Sequence, residues 1–127
     1  MKELDIWNEQ KKKIVQSEKI VQFKERDIFF IKMGQNIGFE QNGRGEIFAR
    51  PVVIIKKLGT YSFIGIPLTT KKKNGDFYYS FQFKDKGERV AILSQIRCFS
   101  VKRCIKKMGM MEKKDFIELK QKMKDLL

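Results

Sequence analysis

Histidine is missing altogether from this chain of 127 residues. Its absence removes the side chain that most often carries protons near neutral pH, and with it any two-imidazole route to phosphodiester cleavage. Cysteine is nearly as scarce. Cys98 and Cys104 are separated by five residues, form no C-x-x-C pair, and have no histidine to complete a zinc site, so both read as packing or idle surface positions. No metal ligand set and no cofactor motif is assigned. No apolar run approaches the roughly 20 residues of a membrane span, and no basic start followed by a long apolar stretch marks a secretory signal. The expectation is a cytoplasmic protein with reduced thiols and no membrane partner.

Acidic residues are also few against the bases, 15 Asp and Glu to 28 Lys and Arg, for a formal charge of +13. The excess is local: residues 27 to 111 hold +10 of it, with little on either flank. A concentrated positive field attracts phosphate backbones, so nucleic acid is the first partner to consider. An acidic protein segment would use the same surface, and a basic surface also serves solubility. The length suits one domain, with residues 1–26 as an added N-terminal helical arm and 27–127 as the domain proper.

Within the arm, Leu4, Trp7, Ile14 and Val15 fall near one helical face, interrupted by Lys11, Lys12 and Lys13. Asp27 to Met33 reads as a first strand, whose run of Ile28, Phe29, Phe30 and Ile31 is too continuous to leave one face wet. Gly34 to Ala49, rich in Gly, Asn and Gln, suits a long functional loop. Pro51 to Lys57 and Thr60 to Leu68 read as a tight hairpin, with Pro51 opening its strand where a missing N–H costs least. Phe77, Tyr79, Phe81 and Phe83 share one face of a further strand. Strands are also expected over Arg89 to Leu93 and Ile105 to Met108. From Glu112 the chain is helical, with Phe116, Leu119, Met123 and Leu126 on one face and Glu118 set to pair with Lys122. Five or six antiparallel strands and a terminal helix make an α+β domain built as a compact barrel.

Four short clusters join apolar runs to polar ends: Gly38-Phe39-Glu40-Gln41, Arg50-Pro51-Val52-Val53, Pro67-Leu68-Thr69-Thr70 and Ser94-Gln95-Ile96-Arg97. Their order and spacing resemble the MazF/PemK family of toxins from bacterial toxin–antitoxin pairs, whose usual form reads G-x-E-Q, R-P-V-hydrophobic, P-hydrophobic-T-[ST] and D-Q-[IVP]-R. The resemblance covers roughly residues 25 to 127. It implies an antiparallel SH3-like β-barrel of the CcdB/MazF/PemK type with a C-terminal helix. It also implies a metal-independent, sequence-specific endoribonuclease, an mRNA interferase that cuts single-stranded RNA through its own 2′-hydroxyl.

In that reading Arg50 and Thr69 are the catalytic pair. The guanidinium holds two phosphate oxygens and stabilises charge building at phosphorus, and the hydroxyl orients the same phosphate. Glu40 and Gln95 support them, Glu40 as a brace on the arginine rather than a proton acceptor. Gln41, Lys71, Lys72, Lys73 and Arg97 are candidates for RNA contact, and Tyr78 or Phe39 for stacking on an unpaired base. The implied partners are single-stranded RNA, a neutralising acidic antitoxin, a second copy in a homodimer, and operator DNA only together with the antitoxin. Phe39 stands where PemK-like members carry a histidine, Ser94 where an acidic residue often precedes Q-x-R, and Ile92 where an arginine is found. The Arg/Thr set therefore survives and the PemK-style acid–base set does not. Two alternatives on the same barrel are a nucleic-acid-binding regulator without catalysis and a CcdB-like gyrase poison, the latter disfavoured because no Trp follows Trp7.

Overall fold

The computed structural model of the protein describes residues 21–35 and 47–127. The expected arm helix over residues 4 to 16 lies outside them, as does the loop stretch carrying Phe39, Glu40 and Gln41. The described end of the arm, residues 21–26, is irregular chain closing in a turn rather than helix. Seven strands follow: β1 (Asp27–Gln35), β2 (Ile47–Lys57), β3 (Ser62–Thr69), β4 (Tyr78–Gln82), β5 (Glu88–Ile92), β6 (Arg97–Ser100) and β7 (Cys104–Met110). One helix, α1 (Lys113–Leu126), ends the chain. It is too short to cross a membrane.

All pairings are antiparallel, in the order β4-β5-β3-β2-β1-β7, with β6 also paired to β3. β3 is the strand on which the sheet turns. One edge pairs with β2, while the other is shared: Ser62 to Gly65 pair with β6, and Leu68 and Thr69 with β5. A 3-10 turn at Leu93–Gln95 separates β5 from β6.

The expected closed barrel is corrected to an open sheet, since β4 and β7 do not pair among the described residues. A side chain fills the seam instead. Phe83, just beyond β4, lies so close to Gly109 of β7 that a Cβ on the glycine would stand 2.9 Å from the ring. The ring packs directly on the β7 backbone at Gly109.

Both sheet faces are covered, as the unbroken apolar run of β1 requires. Ile28, Val53, Ile66 and Leu68 point into a cluster closed by Phe81, Phe83, Met111, Phe116 and Leu119. Phe29, Ile31, Val52, Ile54 and Phe63 form the second cluster with Phe23, Phe99 and Val101. Successive residues of β1 and β2 thus feed opposite clusters, the period-2 rule applied to a sheet with two dry sides. α1 buries Phe116 and Leu119 and half-buries Met123 and Leu126, as its helical spacing predicts. Glu118 does not pair with Lys122. The Tyr79 hydroxyl lies between Asp115 Oδ1 at 2.9 Å and Glu118 Oε2 at 2.5 Å, while Lys122 Nζ donates to the Gly75 carbonyl. A phenol fixed on a strand presents its donor with less entropy loss than a mobile lysine.

Three other expectations shift. Ile47 to Ala49 belong to β2 rather than to the loop, so Pro51 lies inside its strand, opposite Phe30 of β1. It lies one residue beyond the last β2–β3 pair, Val52↔Pro67, where β2 keeps a paired neighbour on its β1 side. The β2–β3 connection runs from Leu58 to Tyr61, closed by Leu58 N–H donating to Ser62 O, and is longer than a two-residue turn. Phe77 precedes β4 and is exposed.

Two expected outcomes follow from the packing. A Cβ on Gly65 would stand 2.5 Å from Val52 Cγ1 and 3.2 Å from both Phe63 and Phe99. Gly65→Ala should therefore lower stability by about 1–3 kcal/mol, read as a lower urea midpoint at unchanged slope. Burial, then hydrogen bonding to Glu118 and Asp115, pushes the Tyr79 phenol far above its ordinary range. The folded state holds this proton more tightly than the unfolded chain, so the contribution is complete below about pH 10 and declines above it. In Tyr79→Phe the fall of Tm above about pH 10 should be shallower than in the wild type.

Candidate nucleic-acid interface

Arg50 and Thr69 come from neighbouring strands, and their relation follows from register. β2 and β3 pair as Ile54↔Gly65, Val53↔Ile66 and Val52↔Pro67. The ladder stops there, and Arg50 and Thr69 each lie two residues beyond its last pair. Arg50 alternates with Val52 and Ile54, and Thr69 with Phe63 and Gly65, so both belong to the face of the second cluster. Arg50 also pairs across β1 with Ile31, a member of the same cluster. Both residues are half-buried.

The ladder ends just short of this pair. β2–β3 pairing runs no further than Val52↔Pro67, and beyond it Leu68 and Thr69 pair with β5 instead. Arg50 and Thr69 therefore stand at the opening of the hairpin's far end. Thr69 Oγ1 accepts a hydrogen bond from Lys71 N–H at 3.2 Å. With a lone pair used in this way, the hydroxyl keeps its own proton for an external acceptor.

Arg97 joins them on the same face. It pairs with Gly65, and Phe99, two residues on, pairs with Phe63 of the second cluster. Its guanidinium lies over the Phe99 ring, 4.8 Å from the centroid. Gln95 sits in the 3-10 turn before β6 and is exposed, a position beside the face rather than on a strand of it. Lys71, Lys72 and Lys73 are exposed in the connection after β3. Arg50, Thr69 and Arg97 thus share one sheet face, with Arg97 opposite Gly65, four residues before Thr69 on β3, and the three lysines follow Thr69 in the chain. Tyr78 lies on β4, two strands from β3 and joined through β5 to the Thr69 end of that strand. Glu40, Gln41 and Phe39 fall outside the described residues.

One neighbour of Arg50 was hidden by the loop expectation. The Phe48 ring lies beneath its guanidinium, 5.3 Å from the centroid, and is 43% exposed. The alternation Phe48, Arg50, Val52, Ile54 is the signal that extends β2 backward and sets Phe48 on this face.

The cations of the face rest on rings rather than on acids. Arg50 lies over Phe48, Arg97 over Phe99 and Lys57 over Phe23, and none is within ion-pair distance of a carboxylate among the described residues. The buried carboxylate of the region, Asp27, is already engaged by Lys107 Nζ at 3.1 Å and Lys24 N–H at 2.9 Å. Such an arrangement leaves positive charge for an external anion. On the other face, a cleft of about 130 Å³ between Ile55, Ile66, Leu119 and Met123 has almost no polar lining. Lys120 and Lys124 complete its lining.

Both cysteines are free. Cys98 is exposed, while burial pushes the Cys104 thiol up to about 11. At pH 8 a maleimide should modify Cys98 well before Cys104, with mass spectrometry of peptides as the readout.

Comparison with known proteins completes the picture. The family model for PemK-like, MazF-like toxins of type II toxin–antitoxin systems matches residues 24–127. No curated protein matches the chain. Among solved structures, the crystal structure of an Mtb toxin is 14% identical, with a TM-score of 0.55 over 62% of this chain and 93% of that one. That likeness is one of fold.

Proposed function

The chain belongs to the PemK-like, MazF-like toxins of type II toxin–antitoxin systems, and from that membership we propose that it is an endoribonuclease that cuts single-stranded RNA. In this reading cleavage needs no metal, because RNA supplies its own nucleophile. The 2′-oxygen attacks the adjacent phosphorus, the bond to the 5′-oxygen breaks, and the products are a cyclic phosphate and a free 5′-hydroxyl.

What supports the reading is that Arg50 and Thr69 lie on neighbouring strands and on one sheet face, each two residues past the last β2–β3 pair, Val52↔Pro67. Arg50 grips two non-bridging oxygens and stabilises the charge that grows on them, a fork geometry that an ammonium lacks. Thr69 donates its free proton to the same phosphate, and the pair holds the 2′-oxygen in line. Arg97 and Lys71 to Lys73 guide the flanking backbone, and Gln95 and Glu40 support the pair. The protein works as a homodimer in the cytoplasm. An acidic antitoxin silences it by covering the basic face, and operator DNA is bound only by the two proteins together.

Incubation with single-stranded RNA in EDTA tests the reading. The wild type should cut, leaving cyclic-phosphate ends. Arg50→Ala and Thr69→Ala should each lower the rate about 10²- to 10³-fold, with Arg50→Lys recovering only part. No cleavage by the wild type, or full cleavage by both alanine variants, would overturn it.

A further inference from the structure

We propose that Phe48 is the platform on which an unpaired RNA base stacks, next to the phosphate held by Arg50 and Thr69. This inference rests on the endoribonuclease reading. Aromatic side chains in this protein are mostly spent in the two clusters, yet Phe48 belongs to neither and keeps 43% of its surface open. Among the described residues Tyr61 and Phe77 are the other exposed aromatics. Tyr61 lies at the closed end of the β2–β3 hairpin and Phe77 precedes the edge strand β4. Phe48 alone of the three shares a strand and a face with Arg50.

Its surroundings suit a flat ligand. On the β1 side Phe48 pairs with Gly34, which brings no side chain to cover the ring, and the register shifts between Lys32 and Gly34. A bulge at that point sharpens the local twist and re-aims the outer end of the strand. On the other side the Arg50 guanidinium lies 5.3 Å from the ring centroid and fixes it through a cation–π contact. Two residues along a strand are about 7 Å apart, comparable to one nucleotide step of an extended single strand. A phosphate on Arg50 and a neighbouring base on Phe48 therefore match the separation of the two residues along β2. Because a phenyl ring reads a base by its π-face, the contact raises affinity and holds the strand in line, with preference set by stacking strength.

The test uses an RNA spanning a mapped cleavage site, made uncleavable by 2′-O-methylation at the cut position and read by fluorescence anisotropy. Phe48→Ala and Phe48→Leu should bind about 5- to 100-fold more weakly, while Phe48→Trp should bind at least as well as the wild type. Leucine keeps the apolar bulk, so its failure separates stacking from packing, and an unchanged Tm checks that each variant is folded. A single abasic site moved along the RNA should weaken wild-type binding most at one position, and that penalty should vanish in Phe48→Ala. If wild type cuts and binds RNA but Phe48→Leu binds equally well, or the abasic profile is the same in Phe48→Ala, Phe48 is no platform and the endoribonuclease reading stands. If wild type neither binds nor cuts RNA, both fall.

Discussion

The molecule depends on the close approach of backbone and side chains at Gly65. β3 must be flanked by β2 on one edge and by β6 then β5 on the other, while its own side chains feed clusters on both faces. Such sharing requires the strand to pass under Val52, Phe63 and Phe99 with no side chain of its own at that point. The consequence reaches Thr69, whose position at the end of β3 is fixed by the same pairings. At Thr69 itself the paired edge is the β5 side, through Thr69↔Val90, while the middle of the strand is held on both edges.

The electrostatic organisation follows a related economy. On the second-cluster face, aromatic rings carry the cations Arg50, Arg97 and Lys57. A carboxylate in the same role would hold a cation more strongly but would cancel its charge toward an incoming phosphate. A ring quadrupole orients it and leaves the charge in place. Asp27, the acid buried in this region, is closed off by Lys107 and the turn at Lys24, so it subtracts little from the field.

What the sequence disclosed follows the range of the forces involved. The face of α1 was legible because Phe116, Leu119 and Met123 repeat within a few residues, and the half-burial of β4 because Tyr79 and Phe81 alternate with exposed polar neighbours. β6 was not, since its four residues include three exposed positions and its existence depends on distant β3. Local pairing rules suggested Glu118 with Lys122, and a phenol from β4 won that carboxylate. For the site, the identities of Arg50 and Thr69 came from motif resemblance, and their shared face was already implicit in period-2 alternation. Which residue opposes which came from ladder register, a non-local quantity. Phe48 was missed because glycine-rich composition before it masked the start of β2.

The chain's two prolines meet where β2 and β3 cease to pair. There β3 leaves β2 and takes β5 as its partner, so the mouth is set by an exchange of partners in the backbone ladder. A parting of that origin does not depend on the side chains that line it. Its lining can be rewritten while the frame keeps its shape.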